Sequence, residues 1–222
     1  MAKAKGGTRV VKESVFDPAC RRCPRLATFR EESARRYPGY FAAPVPAFGD
    51  EDPRWLIVGL APGMHGANRT GRPFTGDHAG ILLYETLHAI GAASQAQSVS
   101  RDDALRLSGV RITNAVKCLP PENKPTPAES RNCNGFLRAE FAACARVKVV
   151  VALGRIAHDA ILDALGETRS TFRFAHAAEH RLGDGRWLID SYHCSRYNTQ
   201  TRRLTAPMFT AVLARAQALA VP

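Results

Sequence analysis

The chain has 222 residues, with 31 basic against 20 acidic side chains and a formal charge of +11. Its hydrophobic share of 45% and charged share of 23% are those of a globular protein, which excludes disorder of the whole chain. No apolar run approaches the roughly 18 residues of a membrane span, and the basic stretch from Met1 to Lys12 lacks the apolar core of a secretory leader. A cytoplasmic protein without membrane association is therefore expected. The basic excess favours a polyanionic partner, nucleic acid first, against the alternative of a merely solvated basic surface.

Residues 1–14 read as a polar basic tail, and residues 15–222 as one domain. Residues 15–50 hold Cys20-x-x-Cys23, an arginine-rich stretch and prolines at 38, 44 and 46, a pattern of loop and short helix wrapped on the main body. Trp55 to Leu60 is a short apolar run ended by Ala61-Pro62-Gly63, the pattern of a buried strand. A glycine-rich loop follows, and Ile81 to Ala93 has helical spacing of its leucines. Val110 to Val116 predicts a second strand, and Ala128 to Ala145 a helix beyond a proline-rich loop. Val147 to Leu153 is a third strand, Arg155 to Leu165 a helix, Trp187 to Ser191 a fourth strand, and Thr205 to Ala220 a final helix. The alternation predicts an α/β fold, a three-layer α/β/α sandwich around a central, mostly parallel four-stranded sheet. Ligands of such folds bind at the carboxyl ends of the strands. Ala61-Pro62-Gly63, Asn114 and His193 all fall there.

Six cysteines in a chain with no secretory leader point to metal binding or chemistry rather than disulfides. Cys20 and Cys23 form a close pair, and Cys118 and Cys133 a wide one, 15 positions apart. Four thiolates suit a [4Fe–4S] cluster or a tetrahedral zinc, and the wide second pair favours the cluster. Scattered core thiols are the competing account. Cys144 sits on an apolar helix face and reads as core. Cys194 adjoins His193, which makes a Cys–His nucleophile conceivable, but no partner for it is visible.

The stretch from Gly59 to Asp77 combines glycines, basic residues, one aromatic and one carboxylate, as an anion-binding loop would. It lacks the Gly-Lys-Ser/Thr of a P-loop. In detail it resembles motif one of the uracil-DNA glycosylase superfamily. Its Gly-Leu-Ala-Pro-Gly opening and its Asn68-Arg69-Thr70-Gly71-Arg72-x-Phe74-Thr75-Gly76-Asp77 continuation are similar to the family-5 (type B) enzymes. Asn114-Ala115-Val116-Lys117-Cys118-Leu119-Pro120-Pro121-x-Asn123-Lys124-Pro125 resembles the family's middle motif, and Ser191 to Thr201 its histidine-containing second motif. The four cysteines match the cluster ligands of families 4 and 5 in order and spacing. The resemblance spans roughly residues 16 to 215.

The resemblance implies a monomeric DNA-repair enzyme that hydrolyses the N-glycosidic bond of uracil, leaving an abasic site, and the association of family-5 members with hypoxanthine, xanthine and etheno-cytosine extends the implied range to those bases. Many relatives carry an acid or Asn where this chain has Ala61, so the implied catalytic carboxylate is Asp77. Asp77 also stands where an N-cap of the next helix belongs. His193 would donate to the base oxygen as charge develops, and Asn114 would read the base edge. Phe74 would stack on an extruded base, unless it is simply a core residue, with Ala61, Pro62 and Gly63 completing the base pocket. Gly63 leaves room where a bulky side chain would exclude a 5-methyl group. Arg69, Arg72, Lys124, Ser195, Arg196, Tyr197 and Arg202 are the implied DNA contacts. No lysine is placed as a Schiff-base nucleophile, so no lyase step is expected. The cluster would tie the arm at Cys20 and Cys23 to the segment behind Asn114.

Two positions depart from the family pattern. Cys194 replaces a proline after His193, and Arg202 replaces a glycine. His65 stands where family-4 enzymes carry Glu, which speaks against that family. A non-catalytic Fe–S protein that binds DNA on the same fold is the competing functional class, and it would have no need of Asp77 and His193.

Overall fold

A computed structural model of the chain describes residues 16–221; the predicted tail at residues 1–14 lies outside the described residues. The elements in order are α1 (Pro24–Arg36), β1 (Phe48–Gly49), β2 (Trp55–Gly59), α2 (Ala67–Thr70), α3 (His78–Ala89), β3 (Val110–Asn114), α4 (Pro127–Ala143), β4 (Val149–Leu153), α5 (Arg155–Leu165), β5 (Glu179–Arg181), β6 (Trp187–Ser191), α6 (Arg196–Gln200) and α7 (Ala206–Ala220).

The sheet has six strands in the order β1-β3-β2-β4-β6-β5, not the four expected. The four predicted strands are its parallel centre, and the two additions pair antiparallel at the edges. The edge strands have two and three residues, too few for an alternating pattern to register in the sequence. The central strands are buried on both faces, which is why they read as continuous apolar runs. Trp55, Ile57, Val149, Val151 and Ile189 point to the layer of α3 and α7. Leu56, Val58, Val150, Ala152 and Leu188 point to the opposite layer of α4 and α5. Successive strand residues thus serve two cores.

The three longer helices around the site carry clear start signals. Asp77 caps α3, Thr126 closes a capping box with Glu129 at the head of α4, and Thr205 caps α7. No described helix is long and apolar enough to cross a membrane.

Candidate active site

β2, β3 and β6 all run to the same edge of the sheet, and their ends build one cleft of about 420 Å³. Leu60, Ala61, Gly63, Phe74, Asp77, Asn114, Asn123, His193 and Arg196 contribute to its wall. Pro62 is buried beside it. The cleft opens into a larger groove of about 780 Å³ that Arg69, His65 and Val99 also line.

The loop after β2 folds tightly. Gly66 and Asn68 donate main-chain N–H groups to Gly63 O at 3.3 and 3.1 Å. The fold leaves no room at Gly66, where a Cβ would come within 2.3 Å of Asp77 Oδ2. The carboxylate is therefore packed against the motif-one backbone, and Gly66 is required for that approach. The other carboxylate oxygen, Oδ1, accepts from Gly80 N at 3.0 Å. Asp77 is both the helix cap and a wall of the cleft, so the two expectations for it do not compete. Burial pushes its carboxyl above the usual range, and the N–H groups of Gly80 and Ala79 oppose that shift.

Gly59 plays a matching part across the cleft. A Cβ there would lie 2.5 Å from both Asn114 Oδ1 and Phe74 Cζ. Without one, the Asn114 amide and the Phe74 ring close over the end of β2. Asn114 is buried, and its Oδ1 has no hydrogen-bond partner among the described residues. A buried amide oxygen left unpaired costs about 1–3 kcal/mol, which a ligand N–H would recover. Phe74 is both core and cleft. It packs in the α3/α7 layer and stacks at 30° against His193, with ring centroids 5.9 Å apart. It holds a left-handed backbone, φ +54°, that fixes its ring at this point. Desolvation pushes the His193 imidazole down to about 4, so the ring is neutral across the neutral range.

Asn123 of the middle motif, a residue with no role in the sequence reading, also reaches the cleft mouth. It and Glu122 both adopt left-handed φ values of +56° and +54°. Asparagine tolerates that conformation better than most residues, and the signal was present in the Pro-Pro-x-Asn sequence.

Behind the cleft lies the cysteine centre. Cys20, Cys23, Cys118 and Cys133 converge in one small cluster with Leu26, Val116 and Phe136. All four thiols are free. Burial pushes the Cys118 thiol up to about 12 and raises Cys23 and Cys133 as well, with neighbouring sulfurs adding to each shift. Four clustered sulfurs with no disulfide among them could serve a metal or cluster, which would hold them as thiolates. Lys117 N already donates to Cys133 Sγ at 3.2 Å. The Lys117 ammonium is buried between β3 and α4, where it donates to Thr113 and to Glu140 Oε2. This pair fastens the strand that ends in Asn114 to the helix that carries Cys133.

The uracil-DNA glycosylase superfamily model matches residues 46–217. The chain is 52% identical over 207 residues to a type-5 uracil-DNA glycosylase of Thermus thermophilus, covering 91% of this chain and 94% of the relative. It is 44% identical to the type-5 uracil-DNA glycosylase of Pyrobaculum aerophilum, covering 90% and 88%. It is 41% identical to that of Mycobacterium bovis, covering 98% and 84%. The chain belongs to the uracil-DNA glycosylase superfamily.

The two departures from the superfamily pattern now have physical readings. Cys194 is fully buried in the core beneath the cleft, and burial pushes its thiol far up. It packs as a small hydrophobe in place of the proline ring, and a Cys194–His193 nucleophile has no thiolate to offer. Arg202 has φ +57°, the left-handed conformation that glycine adopts freely.

The expected DNA contacts separate into two groups. Arg69, Lys124, Arg196, Tyr197 and Arg202 are exposed, Tyr197 at 70%. Ser195 is taken up in capping α6, where its hydroxyl accepts from Asn198 N. Arg72 is corrected by the structure. Its guanidinium is buried, donating to Asp103 Oδ1 at 2.6 Å, to Ser98 and to Arg101 O, and lying 4.3 Å over the Phe48 ring. It ties the motif-one loop to the 98–103 segment, and its burial keeps it from a phosphate at the surface.

Proposed function

We propose that the protein removes uracil from DNA by hydrolysing the N-glycosidic bond and leaves an abasic site. The observation that carries this reading is the cleft itself, with the Asp77 carboxylate on one wall and an unpaired buried Asn114 Oδ1 on the other. Cleaving the bond builds positive charge on the sugar and negative charge on the departing base. The Asp77 carboxylate supports the first and orients the attacking water. The neutral His193 ring donates an N–H to the base oxygen and supports the second. Asn114 Oδ1 accepts the ring N–H of uracil, and its Nδ2 donates to the adjacent carbonyl. Phe74 stacks on the base. Gly63 keeps the floor open, with Asp77 Oδ2 at 3.6 Å as the one atom near where its Cβ would stand. This space supports extension to hypoxanthine, xanthine and etheno-cytosine. Arg69, Lys124, Arg196, Tyr197 and Arg202 hold the strand.

Cys20, Cys23, Cys118 and Cys133 would hold a [4Fe–4S] cluster. When bound, it supplies a covalent tie between the α1 arm and the segments flanking Asn114. Cys133→Ser is expected to lose the brown chromophore and to lower Tm by more than about 5 °C. Retention of both would overturn the structural role.

The direct test is a labelled duplex with one central uracil, incubated with the protein and treated with alkali. Cleavage at the uracil position, and none in the matched thymine duplex, is the expected result. No cleavage of uracil, hypoxanthine or xanthine duplexes by folded, cluster-loaded protein would overturn the enzyme reading and leave the DNA-binding one.

A further inference from the structure

Helix α6 presents Arg196 and Tyr197 to solvent at the mouth of the cleft. It is fastened on two sides. Asn198 Nδ2 donates to His193 O at 2.8 Å, which ties the helix to the end of β6. On the other side His78 Nε2 lies 3.0 Å from Thr199 Oγ1. His78 is the first residue of α3 and the direct neighbour of Asp77. The Thr199 hydroxyl sits 3.2 Å from Ser195 O and 3.0 Å from Arg196 O, both pure acceptors, so its proton goes to one of them. Its lone pair then accepts from His78, which places the His78 proton on Nε2. Among the described residues, no main-chain hydrogen bond joins the Asp77 turn to α6.

We propose that the His78–Thr199 hydrogen bond is a strap that braces α6 against the elements that carry Asp77 and His193. The helix that meets the duplex is then held firm from both sides, while the sheet edge keeps the two groups themselves in place. This rests on the glycosylase reading above. His78 and Thr199 are positioning residues and touch no reacting atom. Their effect is selective by substrate. Extruding a base from a duplex costs unstacking and unpairing, and the element that fills the gap must stand firm to repay that cost. A base in a single strand imposes no such demand.

The test is single-turnover release of uracil from duplex and from single-stranded DNA, with a thermal melt of each variant. Thr199→Val is expected to slow duplex excision roughly fivefold, the worth of one ordinary hydrogen bond, and single-strand excision by less than about twofold. Thr199→Ser keeps the hydroxyl and restores the duplex rate. His78→Ala gives the same duplex defect, and the double variant adds nothing to it. Equal slowing on both substrates, additive effects, or a Thr199→Ser variant as slow as Thr199→Val would each overturn the strap. A wild type that releases uracil from neither substrate overturns the glycosylase reading and the strap with it.

Discussion

Strand β6 separates two groups of polar side chains that are treated in opposite ways. Within the strand, Asp190 is fully buried and accepts on both oxygens, from His158 Nδ1 at 2.7 Å and from His180 Nε2 at 3.2 Å. His158 Nε2 faces Phe172 O at 3.1 Å. Both nitrogens of His158 thus lie against oxygen atoms of the fold. Three residues on, His193 makes no side-chain hydrogen bond among the described residues, and neither does the nearby Asn114 Oδ1. Each group has a histidine at its centre, His158 in one and His193 in the other. What separates them is satisfaction: the histidines around Asp190 spend their donors on the fold, while the cleft keeps its donors and acceptors in reserve for something that arrives. The three ligand atoms of His158, His180 and Asp190 lie close enough to suit a metal ion, but their pairing with one another already accounts for them.

The sharpest way to break this comparison is Asp77→Asn. Asparagine caps helices as well as aspartate does, so α3 and Tm are expected to hold. The charge is lost, and single-turnover excision of uracil is expected to fall about 10²–10⁴-fold. A fall of less than tenfold would move the burden to His193 and Asn114. Because burial raises the Asp77 pKa, the wild-type rate is expected to decline on the acid side at a pH above that of an ordinary aspartate.

Asp190→Asn should give the reverse pattern. Removing one partner of a buried pair costs about 3 kcal/mol or more, and the excision rate per folded molecule is expected to stay near wild type. A large rate loss at unchanged stability in urea would show that the Asp190 group belongs to the reaction after all. His193→Ala falls between the two. Loss of one charge-stabilising donor predicts a rate decrease of about 10²–10³-fold. It also alters acid stability in a defined direction. The His193 pKa is depressed to about 4 from an unfolded value of about 6.5, so between those values the unfolded chain binds more protons than the folded one. Stability therefore rises with pH across that window and is lost as pH falls through it. The alanine variant is expected to lose less stability over the same interval, read as a flatter urea midpoint against pH.

Much of this organisation was written in the sequence. β6 and α5 have the predicted bounds, and the three loops that carry Gly63, Asn114 and His193 meet at one sheet edge, as the alternation of strands and helices predicts. The parallel strands were legible because burial on both faces makes them continuously apolar. Helix α1 read only as loop and short helix, although it runs for 13 residues. Its buried face is Leu26, Ala27, Arg30 and Ser33, correctly spaced but half polar, so the periodicity is hidden by residue type. Arg72 misled for the same reason: a charged side chain in a basic loop reads as surface until its partner Asp103, 31 positions away, is known. The roles of Gly59 and Gly66 depend on which side chain closes over them, and no local pattern encodes that.

Arg202 is the departure from the family pattern whose backbone conformation predicts a small, measurable effect. Its φ of +57° is free to glycine and costs an L-residue about 1 kcal/mol or more. Glycine also has the larger unfolded-state entropy, which offsets part of that gain. Comparing Arg202→Gly with Arg202→Ala removes the guanidinium from both and leaves the backbone preference as the difference. The glycine variant is expected to be the more stable by about 0.5 kcal/mol, measured by urea unfolding. Both variants are expected to bind duplex DNA more weakly than wild type, and the salt dependence of log K should fall by about 0.9 if Arg202 neutralises one phosphate. Equal stability of the two variants would mean that the loop relaxes out of its left-handed turn. An unchanged salt slope would return Arg202 to the solvated surface, on the satisfied side of the division that β6 draws.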